Sequence, residues 1–290
     1  MDKPRIIVSG KNGQLGNELQ DAAQFFPQFN LLFFAKDELD VRNIVAAEKI
    51  FKKHKPSYFI NAAAYTAVDK AESEQELAYL INAEGVANVA RLCARYNTRL
   101  IHLSTDYVFD GTQIEAYEED DVTNPISYYG YSKWMGEQLA LGNHSETIVI
   151  RTSWVYSSYG HNFVKTMLRL MKERSELNMV NDQMGSPTYA KDLAEAILSI
   201  VADCESATTN FSPGIYHFSN EGIISWYDFA CAIKEMKHFS CIIHPIATSQ
   251  YPTPAKRPAN SLLNKEKIRK TFGIVLKHWK QSLEECLSKL

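Results

Sequence analysis

Residues 5–16 restrict this chain more than any other stretch. Arg5-Ile6-Ile7-Val8-Ser9 is a short β-branched run, the pattern of a strand buried on both faces. It ends at Gly10-Lys11-Asn12-Gly13-Gln14-Leu15-Gly16, and residues 17–26 read as a helix. Strand, glycine-rich turn and helix, in that order, form a cradle for phosphate. Gly10 permits the tight turn, Gly13 lets the backbone approach a pyrophosphate, and Gly16 allows close packing of helix on strand. The pyrophosphate would rest on the helix N-terminus, where unpaired N–H groups point outward. A plain glycine-rich turn is the alternative, and the rest of the chain decides between them.

The second strand is read at 30–34. A strict NAD site wants an acidic residue at its end, for the ribose hydroxyls. This chain has Ala35 and then Lys36, which suits a 2′-phosphate instead. Asp37 and Asp40 come slightly later. Asp40 and Val41 either open the next helix, with Asp40 as its N-cap, or border an adenine pocket. That helix covers 45–54 and ends in Lys52, Lys53 and His54, which suit its negative C-terminal pole. A third strand at 57–61 leads into Ala62, Ala63 and Ala64, small side chains that leave room for a ligand at a strand's carboxyl end. After a loop at 65–72, a long helix runs to about residue 96. Asn82 within it is either solvated or a polar plug facing the site. A fourth strand at 99–104 delivers Ser104, Thr105 and Asp106 to the same sheet edge, where a hydroxyl can meet a carbonyl or make an ordinary turn.

Residues 115–124 are acidic and read as a surface loop. Pro125 then signals a helix start, and 133–141 is rich in helix formers. Tyr129 and Lys133 lie four residues apart, on one helical face. A phenol titrates near pH ~10, and an ammonium beside it should favour the phenolate and lower that value. Such a tyrosine exchanges protons with a hydroxyl or carbonyl oxygen. Tyr-x-x-x-Lys also arises by chance on solvated faces, so its weight comes from context. Here the glycine turn, Thr105 and the Tyr129–Lys133 pair all fall at the carboxyl edge of one sheet. That combination points to hydride transfer between a nicotinamide and a carbon bearing oxygen, with the cofactor carrying the hydride.

After a strand at 147–151 the regular alternation loosens. Helices are read at 163–174, 192–202, 225–237, 265–272 and 279–290, and a strand at 215–218. The fold class is α/β: a Rossmann-type doubly wound parallel sheet with a smaller, mostly C-terminal substrate-binding lobe. Residues 1–155, with about 189–211, form the dinucleotide-binding domain; about 156–188 and 212–290 form the lobe. The net charge of −3 gives no footprint for nucleic acid or a membrane surface. No apolar run is long enough to span a bilayer, and the run after Met1-Asp2-Lys3-Pro4 is too short for a signal peptide. The five cysteines are scattered without zinc-ligand spacing and read as reduced thiols of a cytoplasmic protein, with no metal ligands among them.

The motifs resemble the extended short-chain dehydrogenase/reductases, and within them the dTDP-4-dehydrorhamnose reductases. The similarity rests on 10–16, on Asn-Ala-Ala-Ala-Tyr-Thr-Ala-Val-Asp-Lys-Ala-Glu at 61–72, and on Ser-Thr-Asp-Tyr-Val-Phe-Asp-Gly at 104–111. It continues through Tyr-Gly-Tyr-Ser-Lys at 129–133, Arg-Thr-Ser-Trp-Val-Tyr at 151–156 and Asn-Phe-Val-Lys-Thr-Met-Leu at 162–168. Asn-Asp-Gln-Met-Gly-Ser-Pro-Thr at 181–188 and Pro-Ala-Lys-Arg-Pro-Ala-Asn-Ser at 254–261 complete it. The resemblance implies reduction of the C4 ketone of dTDP-4-dehydro-L-rhamnose by NADPH or NADH, the last step towards dTDP-L-rhamnose. It implies Tyr129 as the acid, with Lys133 and Thr105 beside it. It places Thr105, Asp106 and Trp154 on the sugar, and Lys256 and Arg257 towards the diphosphate. Gly10, Gly13, Gln14, Leu15, Gly16, Lys36, Asp40, Val41, Ala62, Ala63, Ala64, Tyr129 and Lys133 would meet the cofactor. Core packing is the other reading of Trp154, and a surface ion pair that of Arg257. Some family members are homodimers with Mg²⁺ bridged by glutamates; the matches here, such as Glu18, are too few to carry the metal over. Two rivals stay open: a nucleotide-sugar epimerase with the same residues, and a non-catalytic NADP-binding regulatory subunit like that of methionine adenosyltransferase.

Overall fold

The computed structural model describes residues 3–290; Met1 and Asp2, which begin the N-terminus and the first domain read above, lie outside them. A strand covered by helices on both faces is apolar along its whole length. β1 (Arg5–Ser9) is such a strand, with Ile6, Ile7 and Val8 shut off from solvent. α1 (Gln14–Ala22), β2 (Asn30–Phe34), α2 (Ile44–His54) and β3 (Tyr58–Asn61) follow. Next come α3 (Val68–Ala71), α4 (Gln75–Tyr79), α5 (Gly85–Arg95), β4 (Arg99–Thr105), α6 (Tyr128–Asn143) and β5 (Thr147–Thr152). The second half comprises β6 (Val155–Tyr156), α7 (Phe163–Glu173), β7 (Glu176–Val180), β8 (Met184–Gly185), β9 (Thr188–Tyr189) and α8 (Ala190–Glu205). It ends with β10 (Gly214–Phe218), β11 (Ile224–Ser225), α9 (Trp226–Met236), β12 (Ile242–Ile246), β13 (Asn260–Ser261), α10 (Glu266–Phe272) and α11 (Trp279–Ser288).

The main sheet has the order β10-β5-β4-β3-β1-β2, and every pairing in it is parallel. Leu19, Ile197 and Phe272 pack on one face, and Phe51, Val89 and Ala140 on the other. This is the expected Rossmann-type α/β architecture, with a single strand, β2, beyond β1. Strand order reverses between β1 and β3, so a crevice opens at their carboxyl ends, where such sheets bind ligands. The glycine turn after β1 and the alanines after β3 face that crevice.

Three readings need correcting. Residues 212–290 do not all belong to the smaller lobe: β10 lies along β5 as the last strand of the main sheet, and α10 packs on it. The lobe has its own core of Met167, Leu177, Phe229, Ile233 and Leu283, and it includes a two-stranded parallel pair, β7 with β12, that no sequence signal marked. The stretch 115–124 is not all surface, because Tyr117 bridges to Leu263 and both Tyr117 and Glu119 are buried. The helix expected to run unbroken to about 96 loosens into a π-turn at Leu80–Glu84. No helix among the described residues is long and apolar enough to cross a membrane.

One ion pair fixes α6 on the sheet. Arg151 at the end of β5 donates from Nε and Nη2 to the Glu137 carboxylate at 2.9 and 2.8 Å, and from Nη1 to the Glu119 carbonyl at 3.2 Å. The side chains are 2% and 0% exposed. Removing one partner strands the other charge, whereas replacing both with apolar groups removes the problem. Arg151→Met should therefore cost about 3–5 kcal/mol of unfolding free energy. Adding Glu137→Leu should return most of it, as read by urea denaturation.

Candidate active site

The glycine turn is built by backbone crowding. Gly10 has φ +80°, a conformation open to glycine, and a Cβ there would lie 2.7 Å from the Ala62 carbonyl carbon. Gly16 serves differently from the expectation. Its missing Cβ makes room for the Gly10 and Lys11 carbonyls of the turn itself. The helix starts at Gln14, three residues before the predicted start, so Gly16 lies in its first turn. Gly13 is the N-cap and no side chain caps the helix, so the first amides of α1 remain open. They face a cavity of about 580 Å³, along whose wall lie Gly13, Gln14, Leu15, Ala62 and Ala64.

The same cavity is lined by Thr105, Asp106, Tyr129, Lys133 and Trp154. Ser127 caps α6 through the Gly130 amide at 3.2 Å, and this sets the helix register that turns Tyr129 and Lys133 inward. Thr105 ends β4; its hydroxyl donates to Asp106 Oδ1 at 3.0 Å and accepts from the Tyr107 amide at 3.2 Å. Thr105 thus makes the turn contact expected of it while lining the cavity. Asp106 Oδ2 is buried without a partner. Burial pushes the Asp106 carboxyl up to about 6, against the opposing hydroxyls of Ser261 and Thr105.

The expected electrostatics of Tyr129 need correcting. Protein packed around the phenol pushes it up to about 12, Asp106 adds to the rise, and the Thr105 hydroxyl opposes it. Lys133 does not lower it. Its Nζ donates to the Leu103 carbonyl at 2.6 Å, and burial brings the ammonium down to about 8. Beneath it lies a polar chain that sequence reasoning missed. Ser9 Oγ donates to Asn61 Oδ1 at 2.7 Å, and Asn61 Nδ2 donates to His102 Nδ1 at 3.2 Å. Burial first, then Lys133, hold His102 well below its ordinary pKa, so its ring is neutral. Asn82 is a buried plug rather than a solvated residue. It accepts from the Tyr65 amide at 2.8 Å and donates to the Tyr65 carbonyl and to Ser132 Oγ, both at 3.0 Å. Its place in the π-turn could be anticipated only from the polar side chain inside an apolar helix.

Other sequence-read residues lie apart from this cavity. Asp40 does not cap α2; Asn43 does, accepting from the Ala46 amide at 3.1 Å. Asp40 instead takes the Arg42 Nε at 2.9 Å, and that hydrogen bond holds its carboxyl below the usual range. Val41 is buried against Gly85, where a Cβ would sit 2.6 Å from Val41 Cγ2. Lys36 is exposed on the turn after β2, and Lys11, which sequence reasoning passed over, stands 4.0 Å from Glu38 on that turn. Lys256 is exposed. Arg257 forms the ion pair, donating to both oxygens of Asp69 at 3.0 and 2.8 Å, and it lines a second cavity of about 290 Å³. Glu18 accepts from Ser157 at 2.6 Å, and among the described residues no group of three His, Cys, Asp or Glu side chains could hold a metal ion. All five cysteines are free thiols.

This geometry can be set beside known proteins. A family model described as the RmlD substrate binding domain matches residues 4–290. A dTDP-4-dehydrorhamnose reductase of Aggregatibacter actinomycetemcomitans is 42% identical over 286 residues, 97% of each chain. The chain belongs to the RmlD family of dTDP-4-dehydrorhamnose reductases. A family structure from Bacillus anthracis, solved in complex with NADP, is 38% identical, superposes with a TM-score of 0.94 and covers 100% of both chains. The UDP-glucose 4-epimerase of Thermus thermophilus, in complex with NAD, covers 98% of both chains at a TM-score of 0.81 but only 18% identity, which speaks for the shared fold alone.

The buried ammonium on this family framework has a measurable signature. Lys133 titrates near pH 8 in the folded chain and near ~10.4 when unfolded. Below pH 8 both states carry the proton, and the folded chain bears the full cost of a buried charge. As pH rises from about 8 towards ~10.4, only the folded state gives up the proton, so the fold gains stability. Lys133→Met should remove that gain. The stability advantage of the variant at pH 7 should shrink across this window in paired urea titrations.

Proposed function

We propose that this chain reduces the C4 ketone of dTDP-4-dehydro-L-rhamnose to dTDP-L-rhamnose with a reduced nicotinamide dinucleotide, NADPH or NADH. The observation that carries the reading is one cavity wall. The uncapped N-terminus of α1 and the hydroxyls of Thr105 and Tyr129 open on the same space. The dinucleotide supplies the hydride when bound. The α1 amides hold its pyrophosphate, and Ala62 and Ala64 leave room for it. Lys133 is the ammonium placed to take a ribose hydroxyl. Tyr129 keeps its proton near neutral pH and gives it to the C4 oxygen as the hydride arrives at C4. Thr105 steadies that oxygen, where a donor aimed at developing charge acts most strongly. The sugar lies against Asp106 and Trp154. The diphosphate runs towards the smaller cavity, where Arg257 shares its charge between Asp69 and the phosphates. Lys36 and Lys11 are the cations available to a 2′-phosphate, which favours NADPH.

Tyr129→Phe should lower kcat by about a hundredfold or more, the usual share of general acid catalysis, with NADPH affinity nearly unchanged because the ring remains. Near-wild-type turnover would remove Tyr129 from its role.

Mixing the protein with dTDP-4-dehydro-L-rhamnose should consume NADPH in a one-to-one ratio and leave a hydroxyl at C4. An epimerase would recycle its cofactor and show no net consumption. A regulatory subunit would bind NADPH and leave it unoxidised. Either outcome would displace the reductase reading.

A further inference from the structure

Five described non-glycine residues have positive φ: Lys55, Asn97, Trp154, Ala207 and His238. Four of them follow the C-terminal ends of α2, α5, α8 and α9, where a left-handed residue commonly ends a helix. Trp154, at φ +50°, has no such reason, since it stands between β5 and β6. Strain of this kind persists where the surroundings over-determine it, and it gathers at functional sites.

The surroundings here are two flat walls. The indole of Trp154 stacks on Trp226 with ring centroids 3.6 Å apart and planes 13° from parallel. Gly185 lies against its edge: a Cβ there would be 2.6 Å from Trp154 Cε2 and 2.7 Å from Cζ2. One small sheet sets both walls, Gly185 within it and Trp226 directly after it. Gly185 pairs with Ile224, and Met184 with Ser225. Ser225 caps α9 through the Asp228 amide at 3.1 Å, which fixes Trp226 as the first residue of that helix. Phe163 backs Trp226 at 4.7 Å. Trp154 lines the larger cavity, and Trp226 the smaller.

We propose that Gly185 and Trp226 form a slot that sets Trp154 as the wall against which the sugar is positioned, making Trp226 a positioning residue. The inference rests on the reductase reading, in which the sugar lies against Trp154. It adds the residues that hold Trp154 there and ties the sugar position to a wall shared by both cavities.

Three variants test it: Trp226→Leu, Trp226→Phe and Gly185→Ala. The readouts are KM for dTDP-4-dehydro-L-rhamnose, kcat, NADPH affinity, and the circular-dichroism couplet of the stacked indoles. Trp226→Leu should raise KM roughly threefold to tenfold, the size of effect a stacked aromatic pair supplies, with NADPH affinity unchanged. Trp226→Phe should keep KM near wild type because a flat ring remains, although the couplet disappears in both variants. Gly185→Ala should raise KM with Trp226 still present, because the new Cβ displaces the Trp154 ring. A wild-type KM in Trp226→Leu with the couplet gone overturns the slot. Equal loss of NADPH and sugar-nucleotide affinity in both Trp226→Leu and Gly185→Ala also overturns it, as general damage. Wild-type protein is assayed first. If it fails to oxidise NADPH, the reductase reading falls and the slot falls with it; oxidation with unaltered KM in the variants refutes the slot alone.

Discussion

The buried pair between Arg151 and Glu137 is the constraint on which the cleft depends. α6 carries Tyr129, Lys133 and Glu137 at successive turns, so anchoring Glu137 sets the rotation of the other two. Arg151 is the penultimate residue of β5, just before the segment that carries Trp154. The pair therefore ties the helix with the phenol and ammonium to the strand leading to the aromatic wall. Two charges out of water are costly, and such a pair contributes geometry more surely than stability. Its hydrogen bonds are nearly complete, since the Glu119 carbonyl accepts from the remaining guanidinium arm. Glycines complete the fit: at Gly130 and Gly136 a Cβ would overlap the Tyr107 and Asn82 carbonyls, so α6 comes closer to neighbouring backbone than a larger residue allows.

Burial then sets the charges in the cleft. Removing water disfavours any charged form, so it raises a phenol and lowers an ammonium. Tyr129 and Lys133 are pushed in these opposite directions, and Asp106 moves upward with the phenol. The ammonium is turned to the Leu103 carbonyl, and the phenol keeps its proton. A tyrosine that holds its proton firmly at rest is suited to giving it to an oxygen that becomes an alkoxide. A proximity rule taken from sequence spacing considers only the Coulomb attraction between the two residues. It omits desolvation, which dominates once the helix packs on the sheet.

The smaller lobe is threaded through the larger unit rather than appended to it. The chain leaves the main sheet at Thr152, builds part of the lobe, and returns at Gly214 to pair with the same strand it left. The lobe then closes over the glycine turn through polar contacts. Gln14 accepts from Asn162 at 2.9 Å and donates to the Val155 carbonyl at 3.4 Å, and Tyr159 donates to Asp21 at 2.8 Å. The first and last turns of α1 are thus both tied to the segment 155–162.

What the sequence determined by itself was local and periodic. Apolar runs made β1, β3, β4 and β5 legible, because a strand buried on both faces must look that way. Three spaced glycines after the first of them marked the turn, and Ser104 to Asp106, Tyr129 and Lys133 could be assigned to strand and helix ends by counting. Tertiary structure decided which distant groups met. It paired β10 with β5, matched β7 to β12, gave Arg257 to Asp69, and capped α2 with Asn43 in place of Asp40. It buried Asn82 and His102, and it stacked Trp226 on Trp154. None of these leaves a mark in spacing, because each depends on two segments being brought together by packing. The same holds for pKa values: they follow the water that the whole fold excludes, and a single stretch of chain does not contain that information.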